Sequence, residues 1–350
     1  MKKILSLMMA AAMALSLAAC GASSTGSSSA TSASGSGSSS KSSGEKITIR
    51  YADVQAENDV ETLFANKFSE IVAEKSDGRI DVQVYPSGQM GEMTDIFNSV
   101  QMGSIEMCRT NPSWLADAGA ASMNLLSLPF VYKDVDHMNT ILDGDIGSQM
   151  LQELTDKNIG VHGLGFLQAS GRYFFFKGKE VASLNDVKGL KIRVPTNSLS
   201  TKMVEDLGAS ATPISYNELY SSLQTNVVDG ADNPLKGIVN MSFFEVSSYI
   251  LDLAHQYEPS VILVSGSFWD KLSADDQAIL QDAMTEASEY YKEISNEQLD
   301  GYRSTLEEKG MTFVTPTDPQ EWMDAVTPMY GEFTKGYEDM FAQIQALQKD

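Results

Sequence analysis

Arg193 stands near the end of the short apolar run 190–194, two residues before Pro195. The run reads as a strand, and a helix is expected to begin near 196–198. Open α/β sheets bind ligands beyond the carboxyl ends of their strands. A guanidinium at such an end matches a carboxylate through two parallel hydrogen bonds. The free N–H groups of the following helix should point into the same region. Other side chains could join it. Arg172 lies between Gly171 and the aromatic run 173–176, so it could bind an anion or stack structurally. Asn233, before Pro234 at the end of a third short strand, could offer its amide to a hydroxyl or carboxylate, or serve only a turn. Tyr216 is either core or a ligand platform. Arg109 and Asn111, at the end of an earlier strand, are the corresponding candidates in the first half of the chain. The chemistry these residues favour is the holding of a small organic anion.

Bond-making chemistry finds little support. The chain has no nucleophile elbow, no HExxH and no Walker loop. Gly163 and Gly165 begin a dinucleotide fingerprint, but Gln168 occupies the place of its third glycine. His137, His162 and His255 are far apart, without metal-ligand spacing. Neither catalysis, a metal nor a cofactor is expected.

Composition bounds the partners. The formal charge is −22, and removal of the first twenty residues leaves 23 basic against 47 acidic residues, a net −24. Nucleic acid is therefore a poor partner, and every arginine in a cleft is conspicuous. Residues 1–20 carry Lys2 and Lys3 before an apolar stretch too short for a stable span. They read as an export signal whose end, Leu17-Ala18-Ala19-Cys20-Gly21, resembles a bacterial lipobox with Cys20 as the lipidated residue. The 24 residues of 21–44 are almost all Ser, Gly, Ala and Thr, a flexible tether with an end-to-end distance on the order of 25–30 Å. With Cys20 lipidated, Cys108 has no disulfide partner and is expected to be a small buried hydrophobe.

The elements that must position the candidates follow from periodicity. A strand at 47–51 and another at 80–84 flank a helix that the Asn58/Glu61 spacing would cap. Their β-α-β order predicts a parallel pair. A helix at about 92–102 leads to a strand at 105–108. The segment 125–131 reads as a buried connector, followed by one helix over about 135–157 and a strand at 161–167. The chain should cross between domains near 168–171. In the second half, Ser215 and Glu218 form another capping-box spacing, 261–264 is a buried strand, and Ser273 caps a helical pattern reaching about 309. That length suggests a helix spanning both lobes or kinked near Gly301. A strand at 311–314 and a last helix over about 319–348 complete the chain.

Residues 186–234, DVKGLKIRVP continuing to ATPISYNELYSSLQTNVVDGADNP, resemble the solute receptors of tripartite ATP-independent periplasmic (TRAP) transporters of the DctP type. The turn YPSGQMGE, the connector SLPFVY and Gly171-Arg172-Tyr173 fall in the expected order, so the resemblance covers the whole mature body. It implies an α/β, two-lobed fold of the periplasmic-binding-protein kind, with a ligand cleft between the lobes and long bracing helices. Lobe 1 would comprise 45–169 plus about 259–298, and lobe 2 170–258 plus about 299–350. It implies that Arg193 clamps a ligand carboxylate, that Arg172 assists, that Asn233 contacts ligand, and that Tyr216 and Asn111 line the pocket. It also implies a membrane permease pair as partner and a monomeric receptor outside the cytoplasm. The lipidated tether departs from freely diffusing members and suggests a cell without an outer membrane. Sugar acids such as hexuronates or aldonates are the favoured ligands; C4-dicarboxylates, which would use both arginines, are the alternative. A receptor of the ABC type, a surface enzyme and a ligand-sensing lipoprotein are the competing classes.

Overall fold

The computed structural model describes residues 45–348. The export signal, Cys20 and the tether lie outside the described residues. Twelve strands occur in chain order among them. β1 (Ile47–Ala52), β2 (Ile80–Tyr85), β3 (Met107–Thr110) and β4 (Val161–Leu167) come first. β5 (Gly171–Phe176), β6 (Lys191–Val194), β7 (Ser210–Pro213), β8 (Gly230–Pro234), β9 (Tyr249–Leu251) and β10 (Gln256–Tyr257) follow, and then β11 (Ser260–Ser265) and β12 (Thr312–Val314). They form two sheets. The first has the order β2-β1-β3-β11-β4; the second has the order β12-β9-β5-β8-β6-β7, with β10 paired to β5.

β1 pairs with β2 and β3 in parallel, as the β-α-β order requires, and β11 lies antiparallel between β3 and β4. β11 therefore belongs to the first sheet although it follows most of the second in sequence. The passages between sheets are short: 168–170 leads from β4 to β5, and 258–259 leads from β10 to β11. A third connection is the helix Ala274–Glu308. Its Ser273 cap accepts from Asp276 N, and it runs unbroken for 35 residues. Leu280, Met284 and Tyr291 pack with Phe64 and Phe68 on the first sheet, while Leu306 packs with Phe175, Leu219 and Phe243 on the second. One continuous helix thus joins both cores, past Gly301.

In the second sheet β5 is buried on both faces. Phe174 and Phe176 join one core and Phe175 the other, as the alternation of a central strand demands. Phe175 stacks on Phe243 at 5.7 Å. The aromatic run after Arg172 is a packing feature.

Local differences from the sequence expectations have steric or capping causes. The helix Val60–Lys75 is capped by Asp59, not Asn58, and the Asp59 side chain accepts from Glu61 N. Burial of that carboxylate beside Lys236 and Asn240 fixes the cap one residue later. The helix expected over 135–157 is two, Val135–Leu142 and Asp145–Asp156. They meet so closely that a Cβ on Gly144 would lie 2.7 Å from the Thr140 carbonyl. The last helical region is broken into Pro319–Val326, a 3₁₀ turn Thr327–Met329, Tyr330–Phe333 and Glu338–Ala346. Pro328 has no N–H with which to carry the first helix onward. Cys108 is fully buried and free.

Candidate ligand-binding site

The strand ends of the two sheets and the passages between them enclose one large cavity, with about 970 Å³ of empty space including its mouth. Gln168, Ser170, Glu258 and Ser260, on or beside the passages between sheets, line it together with Asn111 and Trp114 from the first lobe and Arg193, Tyr216 and Asn233 from the second.

β6 aims Arg193. Ile192 and Val194 enter the core, so the alternation of a strand turns Arg193 to the opposite face. Arg193 is beside Ala231 in the parallel register with β8, which sets Asn233 two residues further along the same face. Arg193 is only 3% exposed. Its Nε donates to the Ile214 carbonyl at 2.9 Å, and its guanidinium lies 5.9 Å from the centre of the Tyr216 ring. Among the described residues no carboxylate forms an ion pair with it. Burial, with Arg172 adding like charge, pulls its pKa down to about 10, so it remains charged at neutral pH.

The two other arginines in the cavity are occupied. Arg172 donates from Nε to Asp232 Oδ2 at 2.6 Å and from Nη2 to the Asp232 carbonyl at 3.2 Å, with Glu258 Oε2 3.8 Å from Nη1. Burial works against ionisation of Asp232, but Arg172 and His255 hold its carboxyl well below the usual range. The His255 ring stacks on Phe174 at 4.1 Å and its Nε2 is 3.5 Å from Asp232 Oδ2. Arg109 grips Asp53 with two bonds of 2.8 Å, and its Nη1 reaches Ser260 Oγ at 3.3 Å and Asn111 Oδ1 at 3.4 Å. Asp53 in turn accepts from Val54 N and Gln55 N. This pair therefore shapes the backbone of the cavity wall.

The neutral groups are also set by their neighbours. Asn233 Nδ2 donates to the Tyr216 hydroxyl at 3.3 Å, and Tyr216 meets Phe243 edge-on. A Cβ on Gly237 would lie 2.8 Å from Asn233 Nδ2, so glycine there makes room for the amide. Asn111 is the N-cap of the helix Pro112–Asp117, yet its side chain makes no cap bond. The expected anion site at the next helix is filled from within: Asp117 accepts from Ser198 N, and Asn197 accepts from Ser200 N. These N–H groups are spent on the protein itself, and Ser198 does not line the cavity.

The family model of bacterial extracellular solute-binding proteins, family 7 (DctP), matches residues 51–336. The chain belongs to this family. A solute-binding protein of Roseobacter denitrificans is 35% identical over 270 residues, covering 77% of this chain and 82% of that one. The structure of that protein with bound L-galactonate superposes with a TM-score of 0.80 over 87% of this chain and 99% of its own. A TRAP periplasmic solute-binding protein from Bradyrhizobium, solved with galacturonate, is 31% identical with a TM-score of 0.82, over 85% of this chain and 99% of its own. The C4-dicarboxylate-binding protein DctB of Bacillus subtilis is 26% identical over 311 residues, 87% of this chain and 88% of that one. The fold is accordingly that of a two-lobed TRAP receptor.

In this receptor the six residues singled out in the sequence, Arg193, Arg172, Asn233, Tyr216, Asn111 and Arg109, all line the same cavity. Sequence reasoning missed its other charged lining. Lys236 donates to Asp59 at 3.1 Å and to Glu61, and Asn240 Nδ2 donates to Asp59 at 2.9 Å. Glu92 accepts from Asn217 Nδ2 at 3.0 Å with one carboxylate oxygen, while the other is buried without a partner. Glu258 accepts from Ser113 Oγ at 2.6 Å. Three sets of contacts, Lys236 and Asn240 to Asp59, Asn217 to Glu92 and Ser198 to Asp117, run between the parts of the chain built on the two sheets. Lys236 sits three residues beyond Asn233, and that spacing was the available signal. The acidic residues gave none, because 47 of them are spread over the chain.

Proposed function

We propose that this receptor binds a sugar acid bearing one carboxylate, of the hexuronate or aldonate class, and delivers it to a TRAP permease. The observation that carries the reading is the pairing of charge inside the cavity. Arg109 and Arg172 are held by Asp53 and Asp232, whereas Arg193 is buried beside open space without a carboxylate. One ligand carboxylate would complete it. Asn233, Asn111 and the Tyr216 hydroxyl can exchange hydrogen bonds with sugar hydroxyls, and Glu92 and Glu258 can accept from them. The bound galactonate and galacturonate of the relatives support the same class. A C4-dicarboxylate would need a second clamp, and Arg172 is already engaged.

Lobe 1 is taken as 45–169 with about 259–298, and lobe 2 as the remainder of 45–350. The receptor performs no chemistry on its ligand, acts as a monomer, and is held at the outer face of the membrane by a lipid on Cys20. Metabolic labelling with a fatty-acid analogue should mark the wild type and not Cys20→Ala; equal labelling would remove the anchor.

Titration calorimetry against hexuronates, aldonates and C4-dicarboxylates tests the ligand class. Tight binding confined to the sugar acids is expected. Binding confined to the dicarboxylates would recast Arg172 as a second clamp.

A further inference from the structure

We propose that Lys236, Asp59 and Glu61 form a charge filter that keeps a second carboxylate out of the cavity. This rests on the reading of Arg193 as the clamp for the first. Lys236 is an ammonium on the cavity wall, three residues from Asn233, and left to itself it would attract the far end of a diacid. It is instead held by Asp59 and Glu61 from the opposite lobe, the cap and the first turn of the helix Val60–Lys75. Asp59 and Glu61 are 1% and 5% exposed, and Asp59 is further fixed by Asn240 and by Glu61 N.

The cavity's charges then count against a diacid. Four cations, Arg109, Arg172, Arg193 and Lys236, face the acidic side chains of Asp53, Asp59, Glu61, Glu92, Asp232 and Glu258. The first ligand carboxylate has Arg193 to meet. A second finds its cation already taken by the Asp59 carboxylate, and like charges brought together without water repel strongly. A hydroxyl or aldehyde carbon at the same position carries no such penalty, and a hydroxyl can donate to Glu61 or Asp59. The cluster joins two lobes, so the filter is assembled only in the closed cleft.

The test compares three acids with one carbon skeleton. L-galactonate, D-galacturonate and galactarate differ only in the terminal group opposite the shared carboxylate: alcohol, aldehyde or its ring form, and carboxylate. By calorimetry the receptor should bind at least one of the two monoacids and bind galactarate at least about 100-fold more weakly. Asp59→Asn keeps the shape and the helix cap and removes the negative charge that holds Lys236. It should narrow that ratio about tenfold or more, chiefly by gaining galactarate. Equal affinity of the wild type for monoacid and diacid overturns the filter while leaving Arg193 as the clamp, and so does an unchanged ratio in Asp59→Asn. If neither monoacid binds, the clamp reading fails and the filter with it. Should Asp59→Asn not fold, the wild-type ratio of monoacid to diacid affinity decides in the same way.

Discussion

Arg109 and Arg193 occupy equivalent places in the two lobes. Each is close to the carboxyl end of a strand, each is buried, and each lines the same cavity. They differ in their partners. Arg109 is gripped by Asp53 through two 2.8 Å bonds, whereas Arg193 has a carbonyl, the face of Tyr216 and open space. Residue type and strand position are thus alike in an arginine paired within the protein and an arginine left without a carboxylate. What separates them is whether the fold supplies the counter-charge. A buried arginine without one costs stability, and a bound anion would offset that cost.

Two substitutions would break the comparison if it is mistaken, and they carry the largest effects. Arg109→Ala strands the fully buried Asp53 and should cost about 3–5 kcal/mol of stability, lowering the melting temperature of the unliganded receptor by on the order of 10 °C. Arg193→Ala removes an unpaired buried charge, so the unliganded protein should melt no lower than the wild type. Its affinity for sugar acid should fall by about two to three decades, because the ligand carboxylate would be buried unpaired. Melting curves and calorimetry on both variants check this, and a reversed pattern would exchange the two roles. Arg193→Lys sharpens the point. It keeps the charge but not the planar fork, and should lose about 1.5–3 kcal/mol of binding, roughly tenfold to a hundredfold.

The same contrast explains what was legible in the sequence. The strand ending in Arg193, the asparagine before Pro234 and the helix capped by Ser273 are local patterns, carried by alternation, turn chemistry and capping within a few residues. Six cavity residues followed from them. Asp53, Asp232 and the Asp59–Glu61–Lys236 cluster did not, because their roles depend on pairings between residues tens to nearly two hundred positions apart. Sequence also placed a cap at Asn58 where Asp59 serves, since the choice is made by Lys236 and Asn240 from the other lobe. The breaks at Gly144 and Pro328 were visible as residues. Their effect came from how closely the flanking helices pack.

A smaller effect concerns Asn233, which the cavity positions without charge. The missing Cβ of Gly237 leaves room for its amide, 2.8 Å from where that carbon would be. Gly237→Ala should push the amide off the Tyr216 hydroxyl and reduce ligand affinity by about 1 kcal/mol, roughly fivefold. Alanine is the better helix former in Leu235–Asn240, so the melting temperature of the unliganded protein should hold or rise slightly. Weakened binding in a protein that has lost no stability would place the effect in the ligand contact. A parallel loss of both would place it in general misfit.

The smallest expected signal separates the two charge clusters by pH. Burial and the adjacent Asp59 push Glu61 up to about 8, although Lys236 and Arg109 oppose this. Asp232 moves the other way, held low by Arg172 and His255 in spite of its burial. The signs are therefore opposite. The folded receptor keeps a proton on Glu61 that the unfolded chain releases above its ordinary value near 4.5. This contribution to stability is full below that pH and is lost as pH rises toward about 8. The contribution of Asp232 is full above its ordinary carboxylate range and is lost only in acid. Glu61→Gln fixes the uncharged form and should flatten the decline in melting temperature between pH 5 and 8, while leaving the acid limb unchanged. Melting curves of wild type and Glu61→Gln across pH 3–8.5 test this. Parallel curves over the whole range would mean that Lys236 keeps both of its carboxylates ionised. The cluster would then be as fully charged as the Arg172–Asp232 pair, with one more negative charge facing the ligand.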